Sequence, residues 1–361
     1  MLHAIIMAGG TGTRFWPAST SDTPKQLLRL VGEATMLRQT VDRLDDLVPI
    51  ERRLVVTNER MRNTVQQQLP ELPSAAIIGE PCKRDTAPCI GLAALLVSRT
   101  DSDATMVVIP ADHVIRPAEA FRAAVRQAVQ LVEESPGRIV TFGIKPTYPA
   151  EVFGYIHRGE ILRQPSEQTA ATYVVRQFKE KPNATTAKKY LDSGQYYWNL
   201  GIFVWRAATI LAALRERQPD MVTHLEAIVG AWNSAERDRV FQQEFAAINP
   251  ISIDYAVMEH ASDVAVIEAP FEWDDLGSWQ ALGRLVGTDE HGNTIIGRHI
   301  GLATSGTIVR TDDNHLVATL GINDCIVVHT PKATLVASKH NEEQIRQLVK
   351  QLETLGWSDY L

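Results

Sequence analysis

Residues 1–143 alternate between two apolar rhythms. Short runs at 4–8, 54–57, 75–78, 105–109 and 139–142 are apolar and rich in β-branched residues, the pattern of strands buried on both faces. Between them lie segments with helical spacing. One covers 36–44 and can be capped by Thr35; a polar one opens at Asn58 and is stopped by Pro70. A third, 86–97, is small and apolar with Pro88 in its first turn, and a fourth covers 119–132. Strands alternating with helices predict an α/β layered fold with a largely parallel sheet. In such folds ligands bind beyond the carboxyl ends of the strands. That would gather the loop after residue 8, Glu80 and Asp112 on one edge.

The pattern changes near residue 150. Strand-like runs recur at 153–158, 171–179, 198–205 and 263–268, Lys181-Pro182-Asn183 turns into a short helix, and 207–248 reads as helix broken at Gln218-Pro219. Region 144–285 is expected to be inserted into the first sheet or laid over it. After Leu285 come short β-branched segments at 293–296, 299–303, 306–310, 315–320 and 324–329, divided by Gly, Asn and Asp. They predict a small all-β region or a few turns of a β-solenoid, closed by a helix over 341–355. No catalytic constellation is evident in that last part, and a structural or oligomerising role is the expectation. The boundary is expected at 285/286, giving domains 1–285 and 286–361.

Composition narrows the function. With 361 residues, 45% of them hydrophobic, the chain can bury a large core, and its formal charge of −7 argues against a nucleic-acid surface. A local basic cleft for an anionic substrate stays open. Cys82, Cys89 and Cys325 have neither metal-site spacing nor a disulfide framework. No apolar stretch approaches about 18 residues and no charged start leads into one, so neither a membrane span nor a secretory signal is expected. The setting expected is soluble and cytoplasmic.

The densest chemistry is at the front, where residues 4–17 read A-I-I-M-A-G-G-T-G-T-R-F-W-P, followed by Pro24-Lys25-Gln26. The predicted first strand empties into a loop with glycine at 9, 10 and 12 and threonine at 11 and 13. Glycines free the backbone to turn and leave N–H groups uncovered, a cradle for anionic oxygens. Arg14 and Lys25 add cations. A tight turn alone would need no cations, so a polyphosphate site is the better reading. The spacing is neither that of a P-loop nor G-x-G-x-x-G.

Other stretches keep two readings. Residues 80–88, E-P-C-K-R-D-T-A-P, form either a surface loop or a base-reading segment whose Lys83, Arg84 and following helix N-terminus meet phosphate. Asp112, just past a buried strand, either caps a turn or holds Mg²⁺, which prefers hard oxygen ligands together with substrate phosphates. Residues 273–279, W-D-D-L-G-S-W, offer a second carboxylate pair that could share that metal. Glu180-Lys181 and the stretch 198–203, W-N-L-G-I-F, suit a sugar, or are core tryptophan beside turn amides.

Taken together these pieces resemble the sugar nucleotidyltransferases, in particular the bacterial mannose-1-phosphate guanylyltransferase (GDP-mannose pyrophosphorylase) family. The resemblance covers residues 4–350. It rests on Gly9, Gly10, Gly12, Thr13, Arg14, Trp16, Pro17, Pro24, Lys25 and Gln26, and on the stretches at 79–81, 110–113, 142–146, 154–156, 178–182, 198–203, 252–259 and 273–279. It implies a Rossmann-like nucleotidyltransferase domain with a mixed, mostly parallel sheet, plus a small C-terminal β-helix-like domain and a closing helix. Residues 1–143 would bind nucleotide and 144–285 the sugar phosphate. The implied reaction is transfer of GMP from GTP to α-D-mannose 1-phosphate, giving GDP-mannose and pyrophosphate.

The resemblance also implies roles. Arg14, Lys25, Asp112 and Lys181 would be catalytic. Ala8, Gly9, Gly10, Gly12, Thr13, Arg14, Glu80, Pro81, Thr86 and Asp112 would bind nucleotide, with Glu80 reading guanine. Gly143, Tyr155, Glu180, Lys181, Asn199 and Gly201 would bind mannose 1-phosphate. Asp112 and Asp275 would hold Mg²⁺, or Mn²⁺ or Co²⁺, and the protein would be a homodimer. Phe15 stands where many relatives have leucine and is expected to have no consequence for the reaction. Relatives often carry a fused isomerase domain, and that activity is not expected here. Two rivals remain: a glucose-1-phosphate uridylyl- or thymidylyltransferase, and a non-catalytic regulatory subunit that binds nucleotide-sugar.

Overall fold

The computed structural model describes every residue except Thr11 and Asp313. The first part runs β1 (Leu2–Ala8), α1 (Met36–Asp42), β2 (Arg53–Asn58), α2 (Arg62–Gln68), β3 (Ile77–Glu80), α3 (Thr86–Ser98), β4 (Thr105–Pro110), β5 (Val114–Arg116), α4 (Ala118–Glu134) and β6 (Ile139–Ile144). The middle runs β7 (Tyr155–Arg163), β8 (Thr172–Lys179), α5 (Ala184–Ser193), β9 (Tyr196–Arg206), α6 (Ala207–Arg217), α7 (Pro219–Gly230), α8 (Arg237–Ala247), β10 (Val264–Glu268), β11 (Glu272–Asp274) and α9 (Ala281–Val286). Last come β12 (Thr294–Ile296), β13 (Arg298–Leu302), β14 (Ile308–Arg310), β15 (Leu316–Leu320), β16 (Cys325–His329), β17 (Thr334–Ser338) and α10 (Ile345–Thr354).

These elements pack as two compact units. The first comprises Met1–Gly9, Val41–Pro110 and Ile115–Trp273; the second comprises Gly10–Thr40, Ala111–Val114 and Asp274–Leu361.

The first unit is built on a nine-stranded sheet in the order β3-β2-β1-β4-β9-β6-β10-β8-β7. β1 lies parallel to both β2 and β4, with Ala4 opposite Arg53 and Val107. Its residues Ala4, Ile5 and Ile6 are fully buried, which is why the run is apolar without alternation. Antiparallel pairing enters with β9, which lies between β4 and β6. Strands β7, β8, β9 and β10 of 144–285 therefore join the sheet rather than lie over it, while β11 pairs with β5 in a separate two-stranded sheet. α3 is apolar on every side because it is buried on every side, and it packs on α6 and α7. Its Gly91 is needed there: a Cβ would sit 2.7 Å from a methyl of Leu225. α4 instead buries a stripe of Phe121, Ala124, Val125, Ala128, Leu131 and Val132.

The second unit holds the solenoid. β12, β14 and β16 stack in parallel, with Thr294, Ile308 and Ile326 in one row, while β13 and β15 stack as a second parallel face. β17, which the sequence pattern did not suggest, runs antiparallel to β16 and ends the stack. Ile308, Ile326, Val328 and Leu335 from these strands, Phe15, Trp16 and Leu30 from the front segment, and Ile345, Val349 and Leu352 from α10 form one core. The i, i+4, i+7 spacing of the α10 residues explains why that helix docks by a single face. Among the described residues no helix is long and apolar enough to cross a membrane.

Candidate active site

In the second unit a cavity of about 230 Å³ is lined by Gly12, Thr13, Arg14, Phe15, Lys25, Asp112, His113, Asp275, Leu276, Gly277 and Arg346. Gly12 shapes it. Its φ is +60°, and a Cβ there would lie 2.4 Å from Lys25 Cβ, so only glycine lets the loop close on Lys25. Thr11, its neighbour, lies outside the described residues. Gly10 has open space where a side chain would be.

Lys25 is buried, and its ammonium donates to Asp112 Oδ2 at 2.8 Å and to the Asp275 carbonyl at 2.6 Å. The Phe15 ring lies under it, 5.9 Å from centroid to Nζ, and meets Trp279 edge-on at 4.9 Å. Phe15 thus floors the pocket, a contact that its expected irrelevance left out.

The two carboxyls respond oppositely. Burial would raise Asp112, but Lys25 and His113 outweigh it and hold the group below the ordinary range. Asp275 is raised, first by burial and then by Asp274 and Asp112, despite Lys25. Mutual repulsion between carboxylates is what a hard divalent cation relieves, so this pair fits Mg²⁺ with substrate phosphates completing its shell. Arg14 donates to the Gly277 carbonyl at 3.3 Å and faces Glu343 at 3.4 Å, while its Nε is buried without a hydrogen-bond partner among the described residues. Arg14 itself lines the cavity, so its guanidinium brings a cation to the glycine loop.

The first unit holds the remaining candidates. Thr57 donates its hydroxyl to the Ala8 carbonyl at 3.0 Å, and Gly9 approaches Glu80, whose Oε2 would lie 3.8 Å from a Cβ on Gly9. Glu80 is buried, its Oε1 lacks a hydrogen-bond partner among the described residues, and burial, helped by Asp85, pushes its carboxyl up to about 8.

The adjoining loop differs from expectation. Arg84 gives its donors to the carbonyls of Phe245, at 3.2 Å, and Ala246. Asp85, held at φ 69°, accepts the Thr86 N–H at 2.8 Å. The Thr86 hydroxyl accepts the Ile253 N–H at 2.9 Å. Arg84 and the α3 N-terminus are therefore committed within the chain, which corrects their reading as phosphate contacts. Pro81 lines a separate cavity with Trp232 and Phe241.

Around β9 a polar chain is fixed. Thr141 donates to Asn199 Oδ1 at 3.0 Å, and Asn199 Nδ2 donates to Asp254 Oδ1 at 3.1 Å. Lys181 pairs with Glu180 at 2.8 Å and is held at φ 42°, a strained setting for a lysine. Glu180 is tucked against Gly154, where a Cβ would lie 2.5 Å from its Oε2. Burial, then the charge of Glu180, raises Asp254 to about 7.

Three expected contacts of this region change character. Tyr155 is fully buried and donates to the Ala150 carbonyl at 2.9 Å, so it supports the wall from behind instead of lining a pocket. Gly143 faces Tyr197, 2.6 Å from where a Cβ would be, so it offers only backbone. Gly201, at φ 67°, likewise offers backbone. Sequence reasoning missed Asp254, Thr141 and Arg346 as site residues. Asp254 carried a faint signal as the one acid in the apolar stretch 251–257, I-S-I-D-Y-A-V.

Residues 3–291 match the nucleotidyl transferase family, and residues 297–352 match the mannose-phosphate isomerase/GMP-like β-helix domain. The fold and the glycine-loop pocket thus define a nucleotidyl transferase. The chain is 40% identical to the mannose-1-phosphate guanylyltransferase of Escherichia coli K12, over 98% of this chain and 74% of that protein. It is likewise 40% identical to mannose-1-phosphate guanylyltransferase ManC of Salmonella typhimurium LT2, over 98% and 74%. A solved protein of Thermus thermophilus, described as a mannose-1-phosphate geranyltransferase, superposes with a TM-score of 0.84 at 35% identity, covering 98% of this chain and 99% of that one. Within the nucleotidyl transferases, this chain belongs to the mannose-1-phosphate guanylyltransferase family.

Proposed function

We propose that the protein transfers GMP from GTP to α-D-mannose 1-phosphate, releasing pyrophosphate and forming GDP-mannose. An oxygen of the sugar phosphate attacks the α-phosphorus of GTP. The bond from that phosphorus to the bridging oxygen breaks, and pyrophosphate leaves with the electron pair. The nucleophile is already anionic, so positioning and charge neutralisation matter more than a general base. The observation that carries this reading is the cavity in which Lys25, Asp112, Asp275 and Arg14 converge behind a glycine loop.

In this reading Gly9, Gly10, Gly12 and Thr13 cradle the triphosphate beside Ala8. Arg14, which lines the cavity, takes the β,γ-phosphates and the leaving pyrophosphate. Lys25 neutralises the α-phosphoryl region. Mg²⁺, with Mn²⁺ or Co²⁺ as substitutes, would be held by Asp112 and Asp275, and when bound it supplies charge neutralisation and a template for the phosphates. Glu80 accepts from the guanine edge, with Pro81 and Thr86 holding its loop. Lys181 takes the sugar phosphate. Glu180, Asn199 and the backbone of Gly143 and Gly201 meet the mannose hydroxyls, and Tyr155 backs them.

A cytoplasmic location is part of the reading, supported by three free cysteines. So is a homodimer, supported by the exposed apolar row Ile300, Leu302, Leu316 and Leu320 on β13 and β15. Light scattering that returned a monomer would remove the dimer.

The deciding assay is pyrophosphate release from four nucleoside triphosphates against mannose 1-phosphate and glucose 1-phosphate. Release confined to GTP with mannose 1-phosphate is expected. Preference for UTP or dTTP with glucose 1-phosphate would overturn the substrate, and binding without turnover would make the chain a regulatory subunit.

A further inference from the structure

The closing helix α10 lies outside every stretch that carried the chemistry, yet it reaches the phosphate cavity. It packs on the turn Thr13–Phe15, and its Ile345, Val349 and Leu352 share a core with Phe15 and Trp16. The chain end adds two more ties: Trp16 Nε1 donates to the Tyr360 carbonyl at 2.7 Å, and the Ser21 hydroxyl to the Leu361 carbonyl at 2.9 Å. Just before α10, Glu342 is buried and accepts from the Trp279 N–H and, at 2.9 Å, from Gln280 Nε2. The helix is thereby fixed against the glycine loop.

From this seat two charged side chains face the site. Arg346 lines the cavity with Gly12, Thr13, Arg14 and Lys25. Its side chain makes no ion pair or hydrogen bond among the described residues, although Glu343 is on the same turn. Glu343 sits 3.4 Å from Arg14 Nη2 and is 71% exposed. An ion pair that open to water is weak and yields readily to a multiply charged anion.

We infer that Arg346 is a third cation of the triphosphate site, binding the β,γ-phosphates and the pyrophosphate product alongside Arg14, and that Glu343 is a placeholder on Arg14 which the incoming phosphate displaces. The guanidinium fork suits this, since it matches phosphate oxygens two at a time. The C-terminal region then belongs to the nucleotide site instead of only bracing it. The inference rests on the proposed pyrophosphate-releasing reaction.

The test separates the two. GTP binding to Arg346→Ala, Arg346→Lys, Glu343→Gln and the parent is measured by calorimetry without sugar phosphate, and pyrophosphate is measured as a product inhibitor. Arg346→Ala should weaken both GTP and pyrophosphate about 5- to 20-fold, leaving the KM for mannose 1-phosphate within about twofold. Arg346→Lys should recover part of the loss, and Glu343→Gln should tighten GTP about two- to threefold. Unchanged pyrophosphate inhibition in Arg346→Ala overturns the inference. So does an equal loss for GTP and mannose 1-phosphate with a lowered melting temperature, which would mark Arg346 as a brace for the loop. If the parent prefers another triphosphate, the base assignment falls, and the same variants are judged on pyrophosphate, which every such substrate releases.

Discussion

The phosphate cavity of the second unit and the polar cluster around β9 in the first unit each hold a lysine among carboxylates, yet they balance charge differently. Among the residues lining the cavity, Lys25, Arg14 and Arg346 face Asp112 and Asp275, and the exposed Glu343 pairs with Arg14 from its edge. In the cluster Lys181 alone faces Glu180 and Asp254, both buried or nearly so, with the Asn199 amide fixed between Thr141 and Asp254. In the proposed reading the first arrangement recognises phosphate by charge. The second is rich in hydrogen-bond acceptors and suits hydroxyls, whose selection depends on which groups are left unpaired. Charge removal should therefore damage turnover in the cavity, and hydrogen-bond removal should damage binding in the cluster.

The largest effect should come from the cavity. Lys25→Ala leaves Asp112 and Asp275 without their cation and the α-phosphate without its neutraliser. We expect kcat to fall at least about 100-fold, roughly 2.7 kcal/mol, with the KM for mannose 1-phosphate changed far less. Asp112→Ala should match it. A loss under about tenfold in pyrophosphate release would put both outside the chemistry. Gly12→Ala should mimic Lys25→Ala, because its Cβ occupies the space of the Lys25 side chain.

Next comes Glu80, where pH gives the sign. Its carboxyl is raised from 4.5 to about 8, so between those values the folded protein keeps a proton that the unfolded chain has lost. The associated stability is complete below about 4.5 and is lost as pH rises through about 8. Glu80→Gln should therefore melt a few degrees above the parent at pH 8.5 and alongside it at pH 4.5. A guanine edge donates hydrogen, so GTP binding favours the ionised carboxylate. The parent's KM for GTP should fall from pH 6 to 8. The variant should show a flat profile and a kcat/KM for GTP about 10- to 100-fold lower. Parallel pH profiles would remove Glu80 from base recognition.

Smaller again, Asn199→Ala should raise the KM for mannose 1-phosphate about tenfold while kcat stays within a few-fold. Thr141→Val, which removes the hydroxyl bonded to the Asn199 amide oxygen and to the Ile202 carbonyl, should raise it about threefold. Equal effects on kcat in both variants would erase the contrast between the two regions.

The same contrast explains what the sequence made legible. The glycine loop, Arg14 and Lys25 are read from one contiguous stretch because they happen to lie within residues 9–25, although other lining residues come from far along the chain. Asp112 and Asp275 were found because each follows a strong apolar run or a tryptophan. Arg346 was invisible, since an arginine on an amphipathic helix looks like any solvated charge until the helix is seen docked on the loop. The cluster is assembled from β6, β9 and the π-type turn Asp254–Met258, so Thr141 and Asp254 had no local pattern to betray them. Most strands were legible from their runs, the short β5 and β11 and the terminal β17 excepted, whereas the alternation of the two units along the chain was not. The pattern suggested a boundary at 285/286, while packing joins Gly10–Thr40 to Asp274–Leu361, a pairing that no local periodicity encodes.

The smallest effect is the finest test of the cavity's logic. Phe15→Leu keeps an apolar floor but removes the ring beneath Lys25 and its edge-on contact with Trp279. The cation–ring attraction is worth about 0.5–1 kcal/mol and the aromatic pair about 0.5–1.5 kcal/mol. Lys25 retains Asp112 and the Asp275 carbonyl, which define its position. The variant should thus lose a few degrees of melting temperature while kcat falls less than about threefold. If kcat falls tenfold with the melting temperature intact, the ring itself sets where the ammonium stands, and charge alone no longer describes the cavity.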